Sequence, residues 1–318
     1  MELPIEIKRY IESELNTIKK VELQNSAKNI SMKYRTNEGK GKRLLESREE
    51  AIAYAISRMP ATYGAIYNSL KHSLEIYNPY IKNVADIGAG TGAGAIAINE
   101  LLHIEKIVCY EREEEMQKIG KKIFENYNDI IKKANWIKLD ITKDKIPEKY
   151  DLVLVSYMLN EIDNSKRNTI LEKLWEITNK ILLIVEPGTM QGYKNIMSAR
   201  KKITDMGGRI VAPCKNNTCK LPEDDWCNFS CRVQRTKNHK ELKSGDVPYE
   251  DEKYIYITMA KEEINQTDKN RILRHPMIYS GYIKLKICRE EKIEEITITK
   301  KDKEKYKIAR KSEAGDLI

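Results

Sequence analysis

The chain has 318 residues, 57 Lys and Arg against 48 Asp and Glu, and a net charge of +9. With 41% apolar and 33% charged residues it can build a core, which excludes a fully disordered chain. Its length suits one enlarged domain or two, and its best apolar run, Ile181–Val185, is far short of the ~20 residues that a membrane helix needs.

The opening MELPIEIKRYIESEL lacks the apolar centre of a signal peptide, so a cytoplasmic protein without membrane contact is expected; a monomer is the expected oligomeric state. Ile5, Ile7, Ile11, Leu15, Ile18 and Val21 recur at helical spacing and predict a helix over residues 2–25. Residues 26–43 read as a basic loop. Two helices follow at about 45–58 and 60–77, with Pro60 suited to the first turn of the second. The middle then alternates. Strands are predicted at Val84–Ile87, Lys106–Glu111, Trp136–Asp140, Asp151–Ser156 and Ile181–Glu186, with helices at about 92–102, 113–132, 163–179 and 189–207. Such alternation implies a doubly wound parallel sheet, an α/β Rossmann-like core. After residue 208 the pattern turns irregular and cysteine-rich, and strands return at Tyr254–Met259, Tyr282–Cys288 and near Ile296–Thr299. We divide the chain into a helical region (1–77), a nucleotide-binding core (78–208), a cysteine-rich segment (209–253), and final strands with a basic tail (254–318).

VADIGAGTGAG falls where the first strand turns into its helix. Asp86, Gly88, Gly90 and Gly92 form D-x-G-x-G-x-G, and glycines there permit positive φ and close approach of a cofactor to the backbone. The acidic residue just before the glycines is the S-adenosylmethionine version of this turn. The next strand ends in Glu111, whose carboxylate can accept from two ribose hydroxyls. A nicotinamide cofactor, with Ala93 in the third glycine position, and a fold kept without cofactor are the competing readings. Catalytic residues are harder to place. The tail DLVLVSYMLNEI puts Ser156, Tyr157, Asn160 and Glu161 at the expected pocket, and Glu186 ends the fifth strand. Ser156, Tyr157 and Glu186 are the catalytic candidates, but no general base is named, and Tyr157 serves equally for packing or for substrate stacking.

Cys214, Cys219, Cys227 and Cys231 lie within eighteen positions, and Cys288 ends a later strand. Polar surroundings (KNNT, KLPEDDW) argue against buried strand positions for the first three, whereas Cys109 in IVCYE fits a core strand. Thiolates select zinc or iron–sulfur clusters, and no C-x-x-C knuckle is present, so the spacing leaves both metals open. Basic residues concentrate in three runs: seven against two acidic residues over 28–48, twelve against five over 193–243, and seven against two over 300–311. With Tyr34, Tyr193, Trp226 and Phe229 interleaved, the runs point to RNA phosphate contact and base stacking.

SMKYR, RMPATY, DIGAGTG, SYMLNEI, VEPGT, IVAPC, WCNFSCRVQR, YEDEK and KIARKSEAGD stand in the order of one family. The chain resembles the methyltransferase-like family associated with the small ribosomal subunit, known from mitochondria and bacterial relatives, from about residue 26 to the C-terminus. The resemblance implies a class I methyltransferase fold, association with small-subunit rRNA, and a [4Fe-4S] cluster on Cys214, Cys219, Cys227 and Cys288. Cys231 stands where the family usually has glutamine. The methyltransferase pattern also implies an adenine contact at Asp140, and Arg232 and Arg235 match the family's basic pair; with Arg35 they are the RNA-contact candidates. Some members of the family serve as assembly factors, so a non-catalytic RNA-binding scaffold is the alternative to an rRNA methyltransferase.

Overall fold

The computed structural model of the chain describes residues 1–318 except 16, 36–44, 46, 216–218, 220, 222–224, 237 and 241–246, and except the side chains of residues 20, 31, 33–35 and 128. Two helices open it, α1 (Ile5–Leu15) and α2 (Lys20–Arg35). The expected single helix over 2–25 is therefore broken: a turn intervenes, where the Thr17 hydroxyl and N–H both donate to the Glu14 carbonyl. The basic loop expected from residue 26 is helical as far as Arg35, because Leu23 and Ile30, seven apart, bury one face of α2. Its remainder, 36–43, lies outside the described residues.

α3 (Arg48–Ser57) is capped by the Ser47 hydroxyl, which accepts from the Glu50 N–H, and α4 (Met59–Leu74) starts with Pro60 in its first turn. Then come β1 (Asn83–Ile87), α5 (Ala93–Leu101), β2 (Lys106–Glu111), α6 (Glu114–Glu125), α7 (Asn128–Ile131), β3 (Ala134–Lys138) and β4 (Tyr150–Ser156). They are followed by α8 (Asn164–Glu176), β5 (Thr178–Pro187), α9 (Met190–Asp205) and β6 (Arg209–Ala212). The five strands β1–β5 are parallel and lie in the order β3-β2-β1-β4-β5. Right-handed crossovers run one way from β1 to β3 and the other way from β4 to β5, so their helices cover opposite faces. β1, β4 and β5 are almost wholly buried, as strands covered on both faces must be.

β8 (Tyr249–Ala260) runs antiparallel between β5 and β6, which gives the order β3-β2-β1-β4-β5-β8-β6 and the expected class I methyltransferase arrangement. Its first half pairs with β7 (Phe229–Gln234) on the same edge that β6 uses further along. β7 corrects the irregular reading of this segment. Phe229, Cys231 and Val233 alternate inward, and Phe229 packs on Tyr254 and Tyr256 with ring centroids 5.9 and 5.3 Å apart.

A second, four-stranded antiparallel sheet completes the chain: β9 (Arg271–Ile272), β10 (Met277–Ile278), β11 (Tyr282–Arg289) and β12 (Lys292–Thr299). α10 (Lys303–Lys311) packs on β11 and β12, and Ile272, Ile283, Leu285, Ile287, Ile298 and Ala309 form a small core of their own. Among the described residues, no helix is long and apolar enough to cross a membrane.

Candidate functional site

The strand order reverses between β1 and β4, and a doubly wound sheet opens a crevice there beyond the C-terminal strand ends. A cleft of about 440 Å³ occupies that position. Gly88 and Gly90 after β1, Glu111–Glu113 at the end of β2, Leu139–Lys143 after β3, and Ser156–Met158 with Asn160–Asp163 at the end of β4 line it. Tyr54, Arg58 and Thr62 from α3 and α4, with Glu252 from β8, close its far side.

Gly88, Gly90 and Gly92 all have positive φ (72°, 59° and 90°), so the turn needs residues without Cβ. Glu111 holds the turn in shape. One carboxylate oxygen accepts the Gly90 N–H at 2.8 Å and the other the Glu113 N–H at 2.7 Å. Burial pushes the Glu111 carboxyl up, and these N–H groups oppose the push. Asp140 also lines the cleft. Burial works upward on it, but the Thr142 hydroxyl (2.6 Å) and N–H (3.0 Å), with Arg112 and Lys143, hold its carboxyl below the usual range.

Asp86 and Gly92 stand behind the cleft. Asp86 is fully buried beneath the turn, where it accepts the Ala95 N–H at 3.1 Å while its other oxygen has no partner. Burial raises its carboxyl to about 7. Gly92 faces Phe124 and Trp136, into which a Cβ would run at 2.5 and 3.4 Å.

Ser156 and Tyr157 line the cleft; Glu186 does not. Tyr157 has a left-handed backbone (φ 57°) and donates its hydroxyl to Glu252 at 2.9 Å. Glu186 braces the strand-four loop instead. It accepts from the Leu159 N–H and the Asn195 amide, both at 3.0 Å, and burial raises it to about 7. Glu161 reaches the cleft as well, and burial followed by the nearby Glu111 carries its carboxyl to about 8. Sequence reading missed Tyr54 and Glu252, which come from helix and strand positions remote from the glycine turn.

The cysteine segment lies between β6 and β7. Cys214, Cys219 and Cys288 line one small hollow, and buried Cys227 interacts electrostatically with all three. Burial pushes up the thiols of Cys214, Cys227 and Cys288, the last to about 11. Arg200, Arg271 and Arg274 surround the group; Arg200 Nη1 lies 3.9 Å from Cys214 Sγ. Tyr193 and Trp226 stack beside it at 6.3 Å. As the side chains stand among the described residues, no three His, Cys, Asp or Glu are arranged to hold a metal ion. Cys231 sits elsewhere, on β7 against Gly64, and Cys109 is a fully buried β2 residue.

The proposed RNA contacts are placed unevenly. Arg232 is exposed, pairs through Nε and Nη2 with Asp251 at 2.8 and 3.0 Å, and lies 4.0 Å over the Tyr249 ring. Arg235 is mostly covered and donates to Glu250 at 2.8 Å. The Arg35 side chain and Tyr34 side chain lie outside the described residues. Phe229 and Tyr193 are buried, which withdraws them as base-stacking rings.

Human (Homo sapiens) ribosome assembly protein METTL17, mitochondrial, is 21% identical over 293 residues, 84% of this chain and 62% of that protein, so the chain spans 62% of the length of this relative. The N-methyltransferase NodS from Bradyrhizobium japonicum WM9, in complex with S-adenosyl-L-homocysteine, is 13% identical, with 66% of this chain and 92% of that chain covered and a TM-score of 0.42. Magnesium protoporphyrin IX methyltransferase (ChlM) from Synechocystis PCC 6803, with S-adenosylmethionine bound, is 12% identical, with 72% and 90% covered and a TM-score of 0.42. The family model of mitochondrial small ribosomal subunit Rsm22 matches residues 48–318, and the chain belongs to that family.

Proposed function

We propose that this chain is an S-adenosylmethionine-binding, methyltransferase-like factor of small-subunit rRNA that carries a [4Fe-4S] cluster. One observation carries the cofactor reading: the switch-point cleft joins a positive-φ glycine turn to a buried carboxylate at the end of β2. The residues fit the cofactor. Its volume is that of a small-molecule site, Glu111 has lone pairs left for a ribose diol, and Asp140 stands at the adenine end. Bound S-adenosylmethionine supplies an electrophilic methyl group. The chain's own part is to orient it: Glu111 fixes the glycine turn and the ribose together, and Tyr54, Arg58 and Tyr157 screen the far side from water.

The cysteine group fits a cluster by its donor chemistry. Four thiols in one electrostatic neighbourhood are soft ligands, and three arginines offset the negative charge of thiolates. Cys288 belongs to the second sheet and the other three to the β6–β7 connection, so ligation would tie the two together and order a segment with little core of its own. Association with the small subunit is supported by the family and by the ribosome assembly role named for the human relative.

A second reading, a non-catalytic assembly factor using the fold as an RNA scaffold, is favoured by one specific observation. The Tyr157 hydroxyl and the Glu186 carboxyl, two of the catalytic candidates, are committed to internal hydrogen bonds with Glu252, Leu159 and Asn195. Incubating rRNA from a deletion strain with the purified chain and radiolabelled cofactor separates the two. Label in small-subunit rRNA supports the enzyme; cofactor binding without label assigns the scaffold; no cofactor binding overturns the enzyme reading. Iron and acid-labile sulfide in protein purified without oxygen support the cluster, and stoichiometric zinc refutes it.

A further inference from the structure

We propose that the hairpin joining β10 to β11 is a base-stacking platform for single-stranded RNA. The class of partner rests on the RNA-associated reading above; the surface is new. Residues 277–282 are exposed without interruption. Four of them are large and apolar or aromatic: Met277, Ile278, Tyr279 and Tyr282, with 38, 55, 44 and 36% of their surface in solvent. Exposed apolar residues scattered singly need no explanation, but a contiguous group on one hairpin marks an interaction site.

The geometry selects the ligand. Tyr279 and Tyr282 stack on each other with ring centroids 4.7 Å apart and planes 17° apart. The backbone fixes them: the Tyr279 N–H donates to the Tyr282 carbonyl at 2.9 Å across a two-residue turn, and Met277 and Ile278 pair with Lys284 and Ile283. The two rings are thus ordered before any ligand arrives, which lowers the entropic cost of extending the stack by an unpaired base.

Charge surrounds the rings. Lys284 lies near both tyrosines but is matched to Glu295 at 2.7 Å, so the free charge comes from the lysines that follow β12. The Lys300 N–H donates to the Gly281 carbonyl at 3.2 Å, so Lys300 and Lys301 sit at the turn and lead into α10. Among the described residues, Lys300, Lys301, Lys303 and Arg310 have no ion pair, whereas Arg232, Arg235, Lys201 and Lys202 of the middle basic run are each matched to a carboxylate. Unmatched lysines beside stacked rings complement a phosphate backbone with splayed bases. A protein-docking patch has no need of them, and a duplex keeps its bases out of reach of the rings.

The test is anisotropy of a labelled oligouridylate of about 12 nucleotides titrated with the full chain. Replacing Tyr279→Ala together with Tyr282→Ala should weaken binding at least about tenfold, since stacking on one ring is worth about 5- to 150-fold per base. Tyr279→Phe with Tyr282→Phe should stay within about twofold, because the rings and not the hydroxyls stack. Lys300→Glu with Lys301→Glu should weaken binding and flatten its salt dependence. Equal affinity of the alanine pair and the natural chain, with the melting profile unchanged, overturns the platform and leaves the RNA reading intact. Failure of the natural chain to bind either the oligonucleotide or a small-subunit rRNA transcript overturns the RNA reading itself.

Discussion

Replacing Gly94→Ala tests whether the glycine turn is held by close packing beneath it. In an exposed helix this change gains about 1 kcal/mol of helix propensity. Here a Cβ would stand 2.4 Å from Leu154 Cδ2 and 2.6 Å from Asp86 Oδ2, both on buried side chains of the central strands. Overpacking a full core costs about 1–3 kcal/mol. Moving Asp86 also lengthens its bond to the Ala95 N–H, and a hydrogen bond to a charged group is worth about 1.5–3 kcal/mol. Offsetting the propensity gain, the net loss is roughly 1.5–5 kcal/mol. Urea denaturation followed by circular dichroism measures it. Gly281→Ala is the control, because no atom lies within 4 Å of its Cβ position, and it should leave the midpoint within about 0.5 kcal/mol. A neutral or stabilising Gly94→Ala refutes the packing argument.

Three further outcomes follow from the site. Glu161, raised to about 8, and Asp86 and Glu186, each raised to about 7, bind protons more tightly folded than unfolded. Their contributions are full below the unfolded carboxyl range and are lost as pH climbs to 7–8, so stability should fall over that window; Glu161→Gln should flatten the fall and raise the melting temperature at pH 8. Cys219→Ser should lower bound iron and increase protease cleavage between β6 and β7; unchanged iron content and unchanged cleavage would show that Cys219 does not hold the cluster. Arg235→Ala removes one partner of the mostly buried Glu250, beside which His239 Nε2 remains at 3.5 Å, and should cost roughly 1.5–3 kcal/mol, the worth of a hydrogen bond to a charged group, whereas Arg232→Ala, an exposed pair, should leave the denaturation midpoint close to that of the natural chain.

The local part of the fold is legible in the sequence. Apolar runs with turn residues at their ends locate β2 at Lys106–Glu111, and D-x-G-x-G-x-G locates the cofactor turn. Long-range pairing is less legible. The extended character of Tyr282–Cys288 is plain from its alternation, but nothing local says that it joins a second sheet rather than the first. β7 hides in a charged, cysteine-rich stretch because only three of its residues face inward. Tyr54 and Glu252 enter the cleft from 34 residues before Gly88 and 141 residues after Glu111, distances no motif spans. Arg232 and Arg235 look available for phosphate until β8 supplies Asp251 and Glu250 across the ladder.

Calorimetric titration with S-adenosylmethionine, comparing the natural chain purified without oxygen and its Glu111→Gln variant, tests the central claim most directly. The amide keeps the shape of the side chain but offers one acceptor oxygen where the carboxylate gives two, one to Gly90 and one to Glu113. The natural chain should bind one cofactor saturably, and the variant at least about tenfold more weakly, as loss of a charge-assisted hydrogen bond requires. Absence of binding to the natural chain, or equal binding to both, would contradict it.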